Sequence, residues 1–114
     1  MAEITWGVAS AAEVDQLYAG RPRETMRALV IRVDGKPAGI IGLAKEPDRE
    51  RAFSEYTAEL CPHLKRLPVL RAIKAFMTWV KASRVPVYAL SEGTGLLERL
   101  GFVHVRGEEF RWPG

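Results

Sequence analysis

Asp34-Gly35, set between the runs Ala28–Val33 and Pro37–Leu43, constrains the fold more than any other feature of the chain. A two-residue Asp-Gly connection favours positive φ at both positions, and its twist matches that of two antiparallel strands. The flanking runs are therefore expected to be antiparallel neighbours. Arg106-Gly107 repeats the pattern near the C-terminus, between Val103–Val105 and Glu109–Trp112. Hairpins at both ends exclude a purely parallel, doubly wound sheet.

Between the hairpins the pattern changes period. Ala52–Leu60 alternates as a strand, with Phe53, Glu55, Thr57 and Glu59 on one face. From Pro68 onward Val69, Leu70, Ile73, Phe76, Met77 and Val80 recur at helical spacing, and Pro68 suits a first turn because its missing N–H would be unpaired there anyway. Ile4–Val8 reads as a first strand. Ser10-Ala11-Ala12-Glu13 has the spacing of a capping box and predicts a short helix, with Val14, Leu17 and Tyr18 on its apolar side and Gly20 with Pro22 as its stop. Val85–Leu90 reads as a buried strand, and Thr94–Leu100 as a helix stopped by Gly101. The order is β-α-β-β-β-α-β-α-β-β, a mixed central sheet flanked by helices.

At 114 residues and 47% hydrophobic content, residues 1–114 form one domain with one core. No apolar run approaches the roughly 20 residues of a membrane span, and no basic segment leads into a hydrophobic one at the N-terminus. A soluble, unsecreted, cytoplasmic protein is the expectation. Cys61 is the single cysteine, so no internal disulfide forms. A formal charge of +3 favours anionic partners without choosing among them. Lys45–Arg51, with mixed signs, reads as a solvated loop.

The stretch Leu60–Leu70 leads from strand through a short basic loop into the long helix. A helix start leaves N–H groups unpaired and carries the positive end of the dipole, and Lys65 and Arg66 add charge there. His63 and His104 lack metal-ligand spacing with other donors, so no metal is expected. Cys61 reads as a small hydrophobe, because no third group orients His63 toward it. Trp6, Trp79 and Trp112 read as core or partner-facing aromatics, and no stacking array or reading element suggests nucleic acid.

Taken together, the early strand and helix, the hairpin Ala28–Gly39, the strand-to-helix junction and the block Gly95–Phe102 resemble, in this order, the GNAT superfamily of acyl-CoA-dependent N-acetyltransferases. The resemblance covers nearly the whole chain. A narrower similarity is to the small GNAT-like proteins of tailed bacteriophages, including the internal virion protein A family of T7-like phages. It rests on the compact length and on Leu96–Phe102 leading to Glu109–Trp112, and it implies a bacterial host cytoplasm or a virion as location.

The resemblance implies a GNAT fold, acetyl-CoA as acyl donor, an amine acceptor and direct attack in a ternary complex. It places the backbone of Leu60 and Cys61 near the pantetheine and thioester, and Lys65, Arg66 and Arg71 near the phosphates. It makes Glu55, then Glu59, the candidate general base. The chain departs from the family pattern at three positions. Pro68 and Leu70 stand where the cofactor loop has glycines, and Leu97 stands where a tyrosine commonly protonates the departing thiolate. Tyr88, Tyr56 or water would have to replace that tyrosine. Two readings follow: an N-acetyltransferase homologue with a degenerate loop, or a non-catalytic GNAT-fold interaction protein of a phage virion or its assembly.

Overall fold

The computed structural model describes residues 2–17, 25–90 and 95–113. Its strands are β1 (Ile4–Val8), β2 (Met26–Val33), β3 (Lys36–Lys45), β4 (Glu50–Tyr56), β5 (Val87–Leu90), β6 (Val103–Arg106) and β7 (Glu109–Arg111). The helices are α1 (Ala11–Leu17), α2 (Leu67–Ala82) and α3 (Gly95–Leu100), with a short 3-10 turn at Cys61–His63. The expected element order is the observed one. The stop expected at Gly20 and Pro22, and the helix start at Thr94, lie outside the described residues.

One seven-stranded sheet runs β1-β2-β3-β4-β5-β7-β6. All neighbours are antiparallel except β4 and β5, which are parallel over only Glu50↔Val87, Arg51↔Tyr88 and Ala52↔Ala89. Asp34 and Gly35 turn the β2–β3 hairpin with φ of 50° and 83°, as their residue types require. The capping box also forms: Ser10 Oγ accepts from the Glu13 N–H at 3.2 Å, and Glu13 Oε1 accepts from the Ser10 N–H at 3.1 Å.

Each face of the sheet carries a core. Leu29, Ile41, Leu43, Val87, Ala89 and Phe110 pack with Phe76, Met77 and Val80 of α2. Ala28, Ile40, Ala44 and Phe53 pack with Val14 of α1 on the opposite face. α3 ends in a Schellman motif, in which the Phe102 N–H donates to the Leu97 carbonyl and the Gly101 N–H to the Glu98 carbonyl, both at 3.0 Å. Gly101 takes φ 104°, and the edge of Trp112 lies 5.6 Å from Phe102 between ring centroids.

Two expectations are corrected. β4 stops at Tyr56 and does not reach Leu60. Thr57 turns back onto the bulge at Ala38, its N–H donating to the Ala38 carbonyl at 2.8 Å and its hydroxyl to the same oxygen at 3.3 Å. The turn lets Leu60 bury its side chain over Gly39, where a Cβ would stand 2.5 Å from Leu60 Cδ2. The Lys45–Arg51 segment is an organised charge cluster rather than a solvated loop. Glu46 accepts from Arg49, Arg51 and the Tyr88 hydroxyl, each at about 3 Å, and Arg49 lies over the Tyr88 ring.

Candidate active site

β4 and β5 separate after Ala52↔Ala89, because their parallel pairing lasts only three residue pairs. Beyond that point Ser54, Glu55 and Tyr56 of β4 stay paired to β3 along one edge, and no strand pairs with them along the other among the described residues. The result is a V-shaped cleft of about 200 Å3, lined by Ile41, Ala52, Ser54, Phe76, Leu97 and Leu100 among others. Phe53 and Ser54 of β4 both line it, beside Leu97 and Leu100 of α3. A second, mostly apolar groove of about 310 Å3 shares Ile41 and Ser54 with the first and leads past Tyr56, Leu60 and Ile73 to Leu64.

The edge of β4 at Ser54, Glu55 and Tyr56, which no strand covers among the described residues, gives the cleft its chemistry. Its peptide groups can pair with a ligand that carries amides in an extended arm, as an added strand would. The apolar walls suit the methylenes of such an arm.

The junction after β4 behaves differently from a free helix start. Leu60, Cys61, His63, Arg66 and Val69 each donate the backbone N–H to the carbonyl three residues back, at 2.8–3.2 Å. Pro62 and Pro68 have no N–H to give. Most of the donors that would cradle a diphosphate are thus committed or missing. Arg66 is half-buried, and its Nη1 donates to the Ala2 carbonyl at 2.7 Å, tying the loop to the start of the chain. Lys65 and Arg71 are exposed.

Glu55 and Glu59 do not share a strand face, because Glu59 lies in the turn beyond β4. Glu55 is exposed, follows Phe53 by two positions, and borders the groove. Hydrogen bonding from Thr57 and from its own N–H, with Lys36 nearby, holds the Glu59 carboxyl below the usual carboxylate range. That makes it the weaker base. Leu97 lines the cleft with no hydroxyl to offer. The Tyr88 phenol is pushed up by burial and by Glu46, and its hydroxyl is bonded to Glu46 at the closed end of the V. Tyr56 is exposed at the far end of β4 and lines the groove.

Cys61 is exposed rather than buried as expected, with Sγ 3.9 Å from the Thr57 carbonyl. His104 is bonded to the Gly107 carbonyl at 2.8 Å and packs against Phe110. Among the described residues, no group of three or more His, Cys, Asp or Glu is placed to hold a metal ion, and no helix is long and apolar enough to cross a membrane. Sequence reasoning expected a cleft faced by Glu55 and Glu59 but did not locate it between β4 and β5, where its signal is the shortness of β5.

The chain is similar in structure to a GNAT family acetyltransferase from Brucella melitensis in complex with acetyl-CoA. The two share a TM-score of 0.62 and 12% sequence identity, over 96% of this chain and 86% of that one. The fold is therefore GNAT-like, a mixed α/β sheet flanked by helices and open between β4 and β5. No protein-family model and no curated protein matches the sequence.

Proposed function

We propose that this protein is a GNAT-type acyltransferase homologue that takes an acyl group from a pantetheine thioester, with acetyl-CoA the donor suggested by its structural neighbour, and passes it to an amine. The observation that carries this reading is the early separation of β4 and β5, which leaves an open strand edge over an apolar cleft. In the transfer the amine nitrogen bonds to the carbonyl carbon as the carbon–sulfur bond breaks, and the proton lost by nitrogen ends on sulfur. Glu55 is the proposed base, because it borders the groove that continues from the cleft along β4. Leu60 and Cys61 border the arm, and Lys65 and Arg71 face the phosphate end. Arg66 is engaged with Ala2 and contributes charge only.

A thermal-unfolding titration tests this reading. A ligand at a hundred times its Kd adds about 2.7 kcal/mol of stability. Acetyl-CoA or S-acetyl-pantetheine at millimolar concentration is expected to raise the midpoint, and no rise with either refutes the proposal.

The second reading is a non-catalytic GNAT-fold protein, with virion or assembly components of a tailed phage as partners. It is favoured by Leu97 in the cleft and by the self-satisfied N–H groups of the junction. Fold alone does not establish activity. Binding of acetyl-pantetheine with no transfer to any amine is its expected signature.

A further inference from the structure

The cleft accepts an arm, yet the junction above it is poorly equipped for the rest of a CoA molecule. Most backbone donors that would bind a diphosphate are spent within the loop or replaced by proline. What surrounds the mouth instead is a surface suited to a protein. Leu67, Leu70, Arg71 and Lys74 lie at i, i+3, i+4 and i+7 on α2 and form one outward stripe. Leu67 and Leu70 are 56% and 49% exposed, and Leu64 at the groove's end is 37% exposed. Leu70 stands one turn from Ile73, which lines the groove.

The sequence of the junction and α2 carries charge of one sign. From Cys61 to Leu90 the sequence contains Lys65, Arg66, Arg71, Lys74, Lys81 and Arg84 and no aspartate or glutamate. Lys65, Arg71 and Lys74 are exposed. Glu55, inside the groove, and Glu59, in the turn before it, are the carboxylates nearest in sequence. Leucines set among these exposed cations complement a partner that is acidic and carries apolar side chains between its carboxylates.

Resting on the acyltransferase reading above, we propose that the acyl donor arrives on a protein: an acidic carrier whose serine-linked phosphopantetheine arm enters the β4–β5 cleft while its surface seats on Leu67, Leu70, Arg71 and Lys74. A carrier brings one phosphodiester where CoA brings a diphosphate and a nucleotide. A single phosphate needs only a side-chain cation such as Lys65, and contact between the two proteins replaces the affinity that a nucleotide site would supply. The bond chemistry is unchanged: the thioester carbon–sulfur bond breaks, an amide forms, and the thiol stays on the carrier.

The test is a calorimetric titration of the full chain with four probes. They are an acidic acyl carrier protein in its apo form, the same protein bearing S-acetyl-phosphopantetheine, acetyl-CoA and S-acetyl-pantetheine. The loaded carrier is expected to bind at least about tenfold more tightly than the apo carrier or acetyl-CoA, about 1.4 kcal/mol. That affinity falls as salt rises. Leu67→Ser with Lys74→Glu, both at exposed positions, is expected to weaken the loaded carrier about tenfold and leave S-acetyl-pantetheine unchanged. Acetyl-CoA binding as tightly as the loaded carrier, equal binding of apo and loaded carrier, or indifference to the double substitution overturns the inference while leaving the cleft reading intact. Binding to anionic phosphatidylglycerol vesicles with none to the carrier overturns it in favour of a membrane. Failure of S-acetyl-pantetheine to bind at all overturns the acyltransferase reading itself.

Discussion

Placing a hydroxyl in the cleft at Leu97 is expected to speed acyl transfer. Leu97 is half-buried and lines the roughly 200 Å3 opening beside Ala52, Ala89 and Leu100, so Leu97→Tyr extends a ring into existing space. A swap of this kind costs under about 1.5 kcal/mol where room exists, a fall of a few degrees in midpoint. A positioned general acid contributes about 10²- to 10⁴-fold. We take the low end, about 100-fold, or ~2.7 kcal/mol of barrier. Leu97→Phe supplies the same ring without the hydroxyl. The assay is single-turnover transfer from S-acetyl-pantetheine to a panel of primary amines, followed by release of thiol. The ratio of the two variants isolates proton donation from bulk. Equal rates in Tyr and Phe variants that both fold and bind the donor would refute the argument that the missing acid limits the chemistry.

Gly101→Ala is expected to cost about 2–4 kcal/mol, from a left-handed backbone and a Cβ 2.9 Å from the Trp112 ring, while Gly107→Ala, also at positive φ but in open space, costs about 1 kcal/mol. Equal losses in urea melts would show that Trp112 is not the obstacle. Glu13 accepts two bonds from Arg32, at 2.9 and 3.0 Å, which hold its carboxyl below the usual range. Its folded pKa is depressed, so the contribution of about 1 kcal/mol is present above the unfolded carboxyl value and lost as pH falls through the folded one. Arg32→Ala should flatten the acid limb of a stability–pH profile, and an unchanged limb would count against the pair. Phe76→Ala, at a position 2% exposed, should cost about 3–5 kcal/mol by denaturant titration. Glu55→Gln should lower the transfer rate about a hundredfold and Glu59→Gln less than about twofold. The reverse order would refute the choice of base.

Local chemistry made most of the fold legible. Asp34-Gly35, the Ser10–Glu13 capping box, Pro68 in the first turn and Gly101 beside Phe102 each specify a backbone conformation through their own atoms, and each is found as expected. The end of β4 was not legible, because alternation continues through Leu60 in the sequence. What ends the strand is a long-range pairing of Thr57 with the Ala38 bulge. The same turn separates Glu59 from Glu55. The cluster around Glu46 was hidden for a similar reason: Tyr88 lies 42 residues away in the chain, and only the β4–β5 pairing brings it in. Burial works against the Glu46 carboxylate, yet hydrogen bonds from Tyr88 and Arg49 and the charges of Arg49 and Arg51 leave its pKa below the ordinary value.

The junction and the cleft place different demands on a ligand, and that difference bears on how the domain is held. A phosphate loop whose N–H groups await an anion leaves backbone donors unpaired until the ligand arrives, at a cost of about 1–3 kcal/mol for each donor shut away from water. Leu60, Cys61, His63, Arg66 and Val69 avoid that cost by donating their N–H groups to carbonyls three residues back, and Arg66 fastens the loop to Ala2. A diphosphate would have to break those bonds to reach these donors. The cleft is held open by other contacts: Leu97 and Leu100 of α3 pack against the same cluster as Phe76 and Phe110, and β7 pairs with β5 on its far side. None of these contacts involves the junction. The contacts that hold the junction and those that hold the cleft are thus separate, which is the condition that the proposed exchange of one carrier of pantetheine for another requires.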